Sequence, residues 1–288
     1  MMRNKILDLT ISSKKFQVCV IHVAREPWIS IVKFGQQPSW NAFVFKNFDV
    51  TYVHAKNSYI ANFLDTSIER WRWHKGRNFS YAISYLLMVF LFPWRGYIPK
   101  ISYSNEAKSG LSQFAKKINI PDLVCTIRWK QIAFLQYFLD KTSSQYVILT
   151  NSSSILNFKS IDNLVENLEI VDGYLYAGPI NSAHDCEFAS GSFTVMNRKT
   201  VQLLMNNVKK IPLHVMPDIG FGTAFKKLGI QLMNINTLSI DTILALNNIK
   251  NSELLKYCHF RLKSGDLEER GDVDLMEKLI FKLQSLRI

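Results

Sequence analysis

The chain has 288 residues, 48% of them hydrophobic and 20% charged, and it carries a formal net charge of +12. That length and composition are those of an ordinary globular protein, built as one large domain or as two tightly joined halves. The four cysteines, Cys19, Cys125, Cys186 and Cys258, form no CxxC pair. We therefore expect neither a zinc site nor a disulfide framework. We expect the protein to reside in a reducing compartment.

The N-terminal half combines strand-like runs with a basic stretch. Residues 16–23 and 29–34 predict strands, and residues 43–54 predict a further extended segment. Residues 1–5 lead into a mixed segment without the apolar centre of a signal peptide, so none is expected. Positive charge is densest at 70–77, but no recognised nucleic-acid-binding motif accompanies it, and no nucleic-acid partner is expected.

Behind that basic stretch, residues 79–94 are nearly all apolar. The run has 16 residues, fewer than the roughly 20 that a bilayer-spanning helix needs, so a transmembrane helix is not expected. Two interpretations stay open. Residues 70–94 either attach the protein to an anionic membrane surface through basic and Trp side chains, or form a buried helix with a solvated basic flank.

In the second half, segments with helical spacing alternate with short strand-like runs. Helices are predicted at 129–141 and at 218–228, the second ending before Gly229. Another predicted helix starts at Ser160. A fourth follows a cap at Asn197 and has Lys209 and Lys210 in its last turn. Predicted strands lie at 146–149, 174–178, 193–196 and 230–235. The alternation predicts an α/β fold around a mostly parallel or mixed sheet.

The predicted strand at 146–149 ends abruptly in small polar residues, among them Asn151, Ser152 and Ser153. Ligands of open α/β sheets bind outside the carboxyl ends of the strands, so substrate groups are expected at this turn. The alternative is a polar strand-to-helix turn in which Ser160 caps the helix that follows.

Two later motifs follow this strand end: Phe-Ala-Ser-Gly-Ser at 188–192 precedes a predicted strand, and Pro-Asp-Ile-Gly-Phe-Gly at 217–222 opens a predicted helix. Their order and spacing resemble glycosyltransferases of the GT-A fold, in particular the Fringe and β1,3-galactosyl- and N-acetylglucosaminyltransferase group and its bacterial relatives. In that group, a strand ending in a DxD motif corresponds to residues 146–157. An SGxgy turn and an acidic EDV motif then match 190–193 and 217–222.

Residues 34–40 resemble the R..TW element of the same group, so the resemblance extends over residues 16–235. It implies a GT-A type, Rossmann-like α/β fold with a mixed, mostly parallel sheet flanked by helices. It also implies one domain over 1–288, with a nucleotide-binding half at 1–145 that includes the apolar helix. The half at 146–288 then holds the donor and acceptor sites and a C-terminal basic segment.

The resemblance also suggests roles for single residues. Asp218 stands in the place of the catalytic base; the alternative is an acid stabilised in the first turn of a helix by the helix dipole. Asp185, Glu187, Ser190 and Gly191 are the candidate contacts to the acceptor, and Asp185 or Glu187 is the rival candidate for the base. The alternatives are ordinary surface acids for the first two and simple turn geometry for Gly191.

The sequence departs from the family's pattern at the DxD motif, because Asn-Ser-Ser at 151–153 makes poor ligands for Mg²⁺ or Mn²⁺. We expect no metal cofactor, and we expect these residues to bind the donor. Period-two alternation places His259, Arg261 and Lys263 on one face of an extended segment as candidate donor-phosphate ligands; the alternative is a solvent-facing edge strand. The literal DxD at 272–274 begins a predicted helix and is expected to cap it.

The resemblance and these residues together imply a cytoplasmic glycosyltransferase that moves a sugar from a nucleotide-sugar donor to a glycan or lipid-linked acceptor. The reaction is expected to invert the anomeric centre and to need no metal. Peripheral attachment to the inner face of a membrane, and a role in bacterial surface polysaccharide assembly, are compatible with the basic charge. The alternative is a non-catalytic glycan- or nucleotide-binding protein on the same scaffold, and a retaining transferase is a third option.

Overall fold

The computed structural model describes residues 14–22, 26–41, 47–56, 98–99, 101–103, 115–122, 126–168, 170, 172–183, 185–212, 215–264 and 271–286. The predictions for the basic stretch at 70–77 and the apolar run at 79–94 lie outside the described residues. Within those residues, every helix falls short of the length and apolar content that a membrane span requires. Cys19, Cys186 and Cys258 are buried free thiols.

The strands in chain order are β1 (Phe16–Ile21), β2 (Phe48–Lys56), β3 (Ile101–Tyr103), β4 (Ala115–Pro121), β5 (Tyr146–Asn151), β6 (Ser154–Leu156), β7 (Tyr176–Gly178), β8 (Ile180–Ala183), β9 (Cys186–Ala189), β10 (Phe193–Asn197), β11 (Met233–Asn234), β12 (Thr237–Ile240) and β13 (His259–Leu262). The helices are α1 (Trp28–Ser30), a π-helix (Ile31–Gln36), α2 (Gln37–Asn41), α3 (Ile127–Lys141), α4 (Phe158–Asn167), α5 (Arg198–Asn206), α6 (Pro217–Lys227), α7 (Ile243–Asn248), α8 (Asn251–Leu254) and α9 (Asp272–Ser285).

Eight strands of the described chain form one sheet in the order β11–β7–β10–β5–β1–β2–β4–β3. Strand β1 pairs in parallel with β5 and β2, and β2 pairs in parallel with β4. Strand β10 runs antiparallel between β5 and β7, and β3 runs antiparallel to β4. This mixed, mostly parallel sheet confirms the predicted fold class.

Alternating side chains of the central strands enter two apolar cores, one on each face of the sheet. On β1, Phe16, Val18 and Val20 belong to one core, whereas Cys19 and Ile21 belong to the other. Helices α4 and α9 contribute to the first core, and α3 and α5 to the second. Because successive side chains of a strand point to opposite faces, a strand covered by helices on both sides is apolar throughout.

The strand predicted at 29–34 is wrong, because the chain is helical from residue 28 to residue 41. The π-helix buries Ile31, Val32, Gly35 and Gln36. Buried positions thus recur after four residues, which is a helical and not a strand spacing. A six-residue apolar run is too short for its period to distinguish these two structures.

Three other boundaries differ from the prediction. Helix α4 begins at Phe158, and its cap is Asn157, whose side-chain oxygen accepts the N–H of Ser160 at 3.1 Å, so the capping role predicted for Ser160 is wrong. Lys209 and Lys210 lie in a separate 3-10 turn, Val208–Lys210, after α5 has ended. The strand predicted at 230–235 shortens to the two residues of β11.

Two predicted helix ends are confirmed. The side chain of Asn197 caps α5 by accepting the N–H of Thr200 at 2.9 Å. Helix α6 ends before Gly229, whose φ of +71° lies in the left-handed region that favours glycine. This turn returns the chain toward β11, and the opposite end of α6 lies at the candidate site.

Candidate active site

The turn that follows β5 is closed by its own side chains. The side-chain oxygen of Asn151 accepts the backbone N–H of Ser153 at 3.1 Å and the hydroxyl of Ser154 at 3.0 Å. Short polar side chains stabilise turns in this way. Ser152 and Ser153 are only 4% and 3% exposed. The residues predicted to bind the donor therefore form a tight, largely buried turn at the carboxyl edge of the sheet, which we call the donor turn (residues 151–154).

A second turn, at residues 190–192, packs against the donor turn. The hydroxyl of Thr150 donates to the carbonyl oxygen of Ser192 at 2.7 Å, and the hydroxyl oxygen of Ser154 lies 3.2 Å from the same carbonyl oxygen, within hydrogen-bond distance. The cause is the sheet topology: β10 begins where its antiparallel neighbour β5 ends, with Phe193 opposite Thr150. Two motifs that are distant in the sequence thus meet at one edge of the sheet.

Asp218 lies beside this second turn, in the first turn of α6 after Pro217. Its carboxylate accepts the backbone N–H of Gly191 at 3.3 Å and that of Ile219 at 3.0 Å. Burial raises the pKa of Asp218, and these two N–H groups together with the charge of Arg128 oppose the rise. A Cβ on Gly191 would lie 3.5 Å from the carboxylate, so a glycine there leaves that side of Asp218 uncovered.

Arg128 is a part of the site that the sequence analysis missed. It lies in the first turn of α3, is 3% exposed, and donates through Nη2 to the carbonyl oxygen of Val215. Burial lowers its pKa to about 10, while Asp218 favours its charged form. The predicted helix begins at 129, one residue after Arg128, so its place in the first turn of α3, where a cation opposes the helix dipole, is not visible in the sequence.

His259 lies beneath the donor turn and is fully buried. Its ring stacks on Phe193 at 4.8 Å, and its nitrogens lie 3.0 Å from the hydroxyl of Ser154 and 2.8 Å from that of Thr237. Burial and the nearby charge of Arg261 lower the pKa of His259 to about 3, so the ring is neutral at physiological pH. We therefore correct its predicted role: His259 supports the turn, and it carries no charge for a phosphate.

Strands β12, β13 and β6 form a separate three-stranded sheet. Arg261 lies two residues beyond His259 on the same face of β13, opposite Ser154 of β6. Strand β13 is the central strand between β12 and β6, so the predicted alternative of an edge strand is wrong. Lys263 follows the strand with an exposed side chain. Asp272 accepts the N–H and the hydroxyl of Ser264, at 3.1 and 2.8 Å, and so fastens this segment to the start of α9.

Asp185 and Glu187 are exposed and line a groove of about 450 Å³ between β9 and the second half of α6. Lys226 donates to the carbonyl oxygen of Asp185 at 2.6 Å. A Cβ on Gly222 would lie 2.7 Å from the carbonyl oxygen of Glu187, so glycine permits the close packing of strand on helix. At 1.5 Å rise per residue, the contact at Lys226 is about 12 Å along the helix from Asp218.

The residues of the donor turn do not fit the divalent cation that the GT-A resemblance implies. The oxygen of Asn151 already accepts two hydrogen bonds, and the turn has no carboxylate, the ligand that hard cations prefer. Among the residues that the structure describes, no three His, Cys, Asp or Glu side chains are grouped to hold an ion.

No protein-family model matches this sequence, and comparison with curated proteins finds no relative. Among solved structures, a glycosyltransferase involved in the glycosylation of the major capsid of PBCV-1 is 8% identical, with a TM-score of 0.41 over 92% of this chain and 98% of that one. Mouse xyloside xylosyltransferase 1 is 6% identical, with a TM-score of 0.39 over 89% and 99%. The galactosyltransferase LgtC, in complex with donor and acceptor sugar analogs, is 9% identical, with a TM-score of 0.43 over 92% and 95%. At these values the likeness establishes neither the family nor the activity of this chain.

Proposed function

We propose that this chain is a glycosyltransferase that moves a sugar from a nucleotide-sugar donor to a hydroxyl group of a glycan or lipid-linked acceptor. One observation carries the proposal. Hydrogen bonds lead from Asp218 to Gly191, and the turn at 190–192 in turn binds Ser154 and through it Asn151. An acid and two polar turns thus meet at the carboxyl edge of the sheet, where α/β proteins bind ligands.

In the proposed reaction, Asp218 accepts the proton of the acceptor hydroxyl as that oxygen attacks the anomeric carbon. The new carbon–oxygen bond forms as the bond to the diphosphate breaks, and the diphosphate leaves with the electron pair. A single displacement of this kind inverts the anomeric centre. Arg261 and Lys263 stabilise the charge on the leaving diphosphate, because charge-assisted hydrogen bonds are strongest where negative charge develops.

We further propose that the acceptor approaches along the groove beside α6. Asp185 and Glu187 supply carboxylate oxygens that accept hydroxyl protons, and the rings of Tyr176 and Phe225 line the groove. A groove that extends away from Asp218 suits an acceptor longer than one sugar, as in the assembly of bacterial surface polysaccharide. Ser190 and Gly191 follow β9 in the chain, and Gly191 contacts Asp218, so these two residues are the candidate contacts nearer to the base.

The proposal is tested first by a thermal-shift screen of the purified protein against nucleotide sugars and nucleoside diphosphates. A ligand that binds only the folded state raises the melting temperature by mass action, so at least one donor should stabilise the protein. Mass spectrometry of reactions with that donor should detect the transferred sugar, and NMR of the product should show an inverted anomeric centre. If neither a nucleotide sugar nor a nucleoside diphosphate stabilises the protein, the proposal is wrong.

Donor binding and turnover should persist in excess EDTA. The reason is chemical: the donor turn offers an amide oxygen that is already engaged and hydroxyl groups, which are weak ligands for Mg²⁺ or Mn²⁺. Initial rates with and without EDTA, on protein first dialysed against chelator, provide the measurement. Complete loss of activity that Mn²⁺ restores would contradict this prediction and would direct attention to Asp272 and Asp274.

Replacing Arg128 with methionine should move the acidic limb of the pH–rate profile to higher pH. Arg128 opposes the burial-driven rise in the pKa of Asp218, so its removal lets that pKa rise further. A base works only above its own pKa, so turnover is then lost at a higher pH as the solution is acidified. Arg198→Met is the control, because Arg198 binds carbonyl groups at the end of α3 and not Asp218. An unshifted limb in Arg128→Met would exclude this electrostatic role.

A further inference from the structure

Gln36, in the last position of the π-helix, binds the donor turn from behind. Its side chain is fully buried, and Nε2 donates to the carbonyl oxygen of Asn151 at 2.8 Å and to that of Ser154 at 2.7 Å. These two carbonyl groups are the first and the last of the donor turn. One amide nitrogen therefore connects both ends of the turn, across 115 and 118 positions of sequence.

The chemistry of Gln36 argues for a specific role. Among the described residues, its side-chain oxygen Oε1 is buried without a hydrogen-bond partner. An unsatisfied buried polar atom costs free energy, and an apolar side chain of similar size would avoid that cost. Oε1 of Gln17 is in the same condition, so what sets Gln36 apart is that its amide nitrogen binds both ends of the donor turn. Insertions of π-helix, such as the one that carries Gln36, occur often at functional sites.

The π-helix is itself held by α9. A Cβ on Gly35 would lie 2.8 Å from the sulfur of Met276 and 3.3 Å from the Cα of Val273, so glycine favours this close approach of the π-helix to α9. The first residue of α9, Asp272, binds Ser264 just after Lys263. A single helix thus supports both sides of the candidate donor site, the donor turn through Gln36 and the basic segment through Asp272.

We propose that Gln36 is a positioning residue, which acts through the donor turn and sets the geometry in which that turn meets the donor. The inference rests on the proposed donor site but adds a residue to it. A buried Gln without this role would contribute only to stability, and its replacement would change nucleotide affinity no more than any equally destabilising change in the core.

The experiment compares Gln36→Met with Gln17→Met. Gln17 is also buried, at 1% exposure, and its Nε2 also donates two hydrogen bonds, to Asp49 and Ser144. It lies near the start of β1, whereas the donor turn lies beside the end of that strand, about 13 Å away at 3.3 Å per residue. The probe is the nucleoside diphosphate that most stabilises the wild-type protein, and its affinity is measured by calorimetry. Amide hydrogen exchange of residues 151–154 is measured on the same samples without ligand.

Gln36→Met should weaken nucleotide binding about tenfold and speed amide exchange in the donor turn, whereas Gln17→Met should change neither. If exchange rises but affinity is unchanged, Gln36 is only structural, and the inference fails. It also fails if Gln36→Met matches Gln17→Met in both measurements. If the wild-type protein binds no nucleoside diphosphate, the proposed function fails instead, and the exchange data still decide whether Gln36 holds the turn. Gln36→Asn, which keeps the donor group on a shorter arm, replaces Gln36→Met if that variant does not fold, with the same expected results.

Discussion

Asp218→Asn should lower turnover by about 10² or more while leaving the fold and donor binding intact. Asparagine has nearly the same size as aspartate, and its side-chain oxygen can still accept the N–H of Gly191 that Asp218 accepts at 3.3 Å. What it loses is basicity. General-base catalysis contributes on the order of 10²–10⁴ in rate, so its removal should appear in turnover and not in donor affinity. Initial rates, calorimetry with the donor and a thermal melt of each protein separate the three effects.

The matched control is Asp274→Asn. Asp274 is also an acid in the first turn of a helix, α9, and it is exposed. Removing its charge costs only the small, screened interaction with the helix dipole, so turnover should stay at the wild-type value. If Asp218→Asn also transfers sugar at that rate, Asp218 only stabilises its helix, and Asp185 or Glu187 becomes the next base to test. If the wild-type protein binds nucleotide sugars but shows no turnover, the binding-protein alternative is favoured.

The core of the sheet could be predicted from the sequence because its signal is local. Apolar side chains fill β1 and β5, and each run is followed by turn residues, so strand character follows without knowledge of the partners. The strand end at Asn151 could also be predicted to lie at the ligand-binding edge of the sheet. The contact of Gly191 with Asp218 could not, because Gly191 precedes a strand and Asp218 opens a helix. The three motifs were connected with one another only through the resemblance, which has the same motifs in the same order along the chain.

The parts of the site that the sequence did not reveal depend on tertiary contacts. Gln36 lies just after the segment 29–34 that was predicted as a strand, and the helix that places it was missed because six residues are too few to show a period. His259 and Arg261 share a face of β13, but His259 is buried on that face and Arg261 is only partly buried. Alternation alone cannot distinguish a buried face from a solvated one. Glu187 lies four positions before Gly191, yet its backbone packs on Gly222 of α6 and its side chain lines the groove beside that helix.

Arg261→Ala should weaken the binding of the donor diphosphate roughly 10- to 150-fold. Arg261 pairs with Ser154, the last residue of the donor turn, and lowers the pKa of His259, so its positive charge lies close to that turn. A hydrogen bond to a charged group contributes about 1.5 to 3 kcal/mol, which corresponds to that range of affinities. The difference in affinity between wild type and Arg261→Ala should decrease as the salt concentration rises, because salt screens the interaction of Arg261 with phosphate where solvent reaches it.

Titration calorimetry with the nucleoside diphosphate, and with the corresponding nucleoside, provides the measurement. The nucleoside lacks the phosphates, so its affinity should be unchanged in Arg261→Ala, which distinguishes loss of a phosphate contact from distortion of the site. Lys256→Ala is the control, because it removes the same charge from an exposed turn before β13 and should leave both affinities at their wild-type values. Arg261→Lys keeps the charge but not the planar, two-pronged donor geometry, so its affinity should fall between those of wild type and Arg261→Ala. If a folded Arg261→Ala protein binds the diphosphate as tightly as wild type, Arg261 is not a phosphate ligand, and Lys263→Ala tests the remaining cation of the segment.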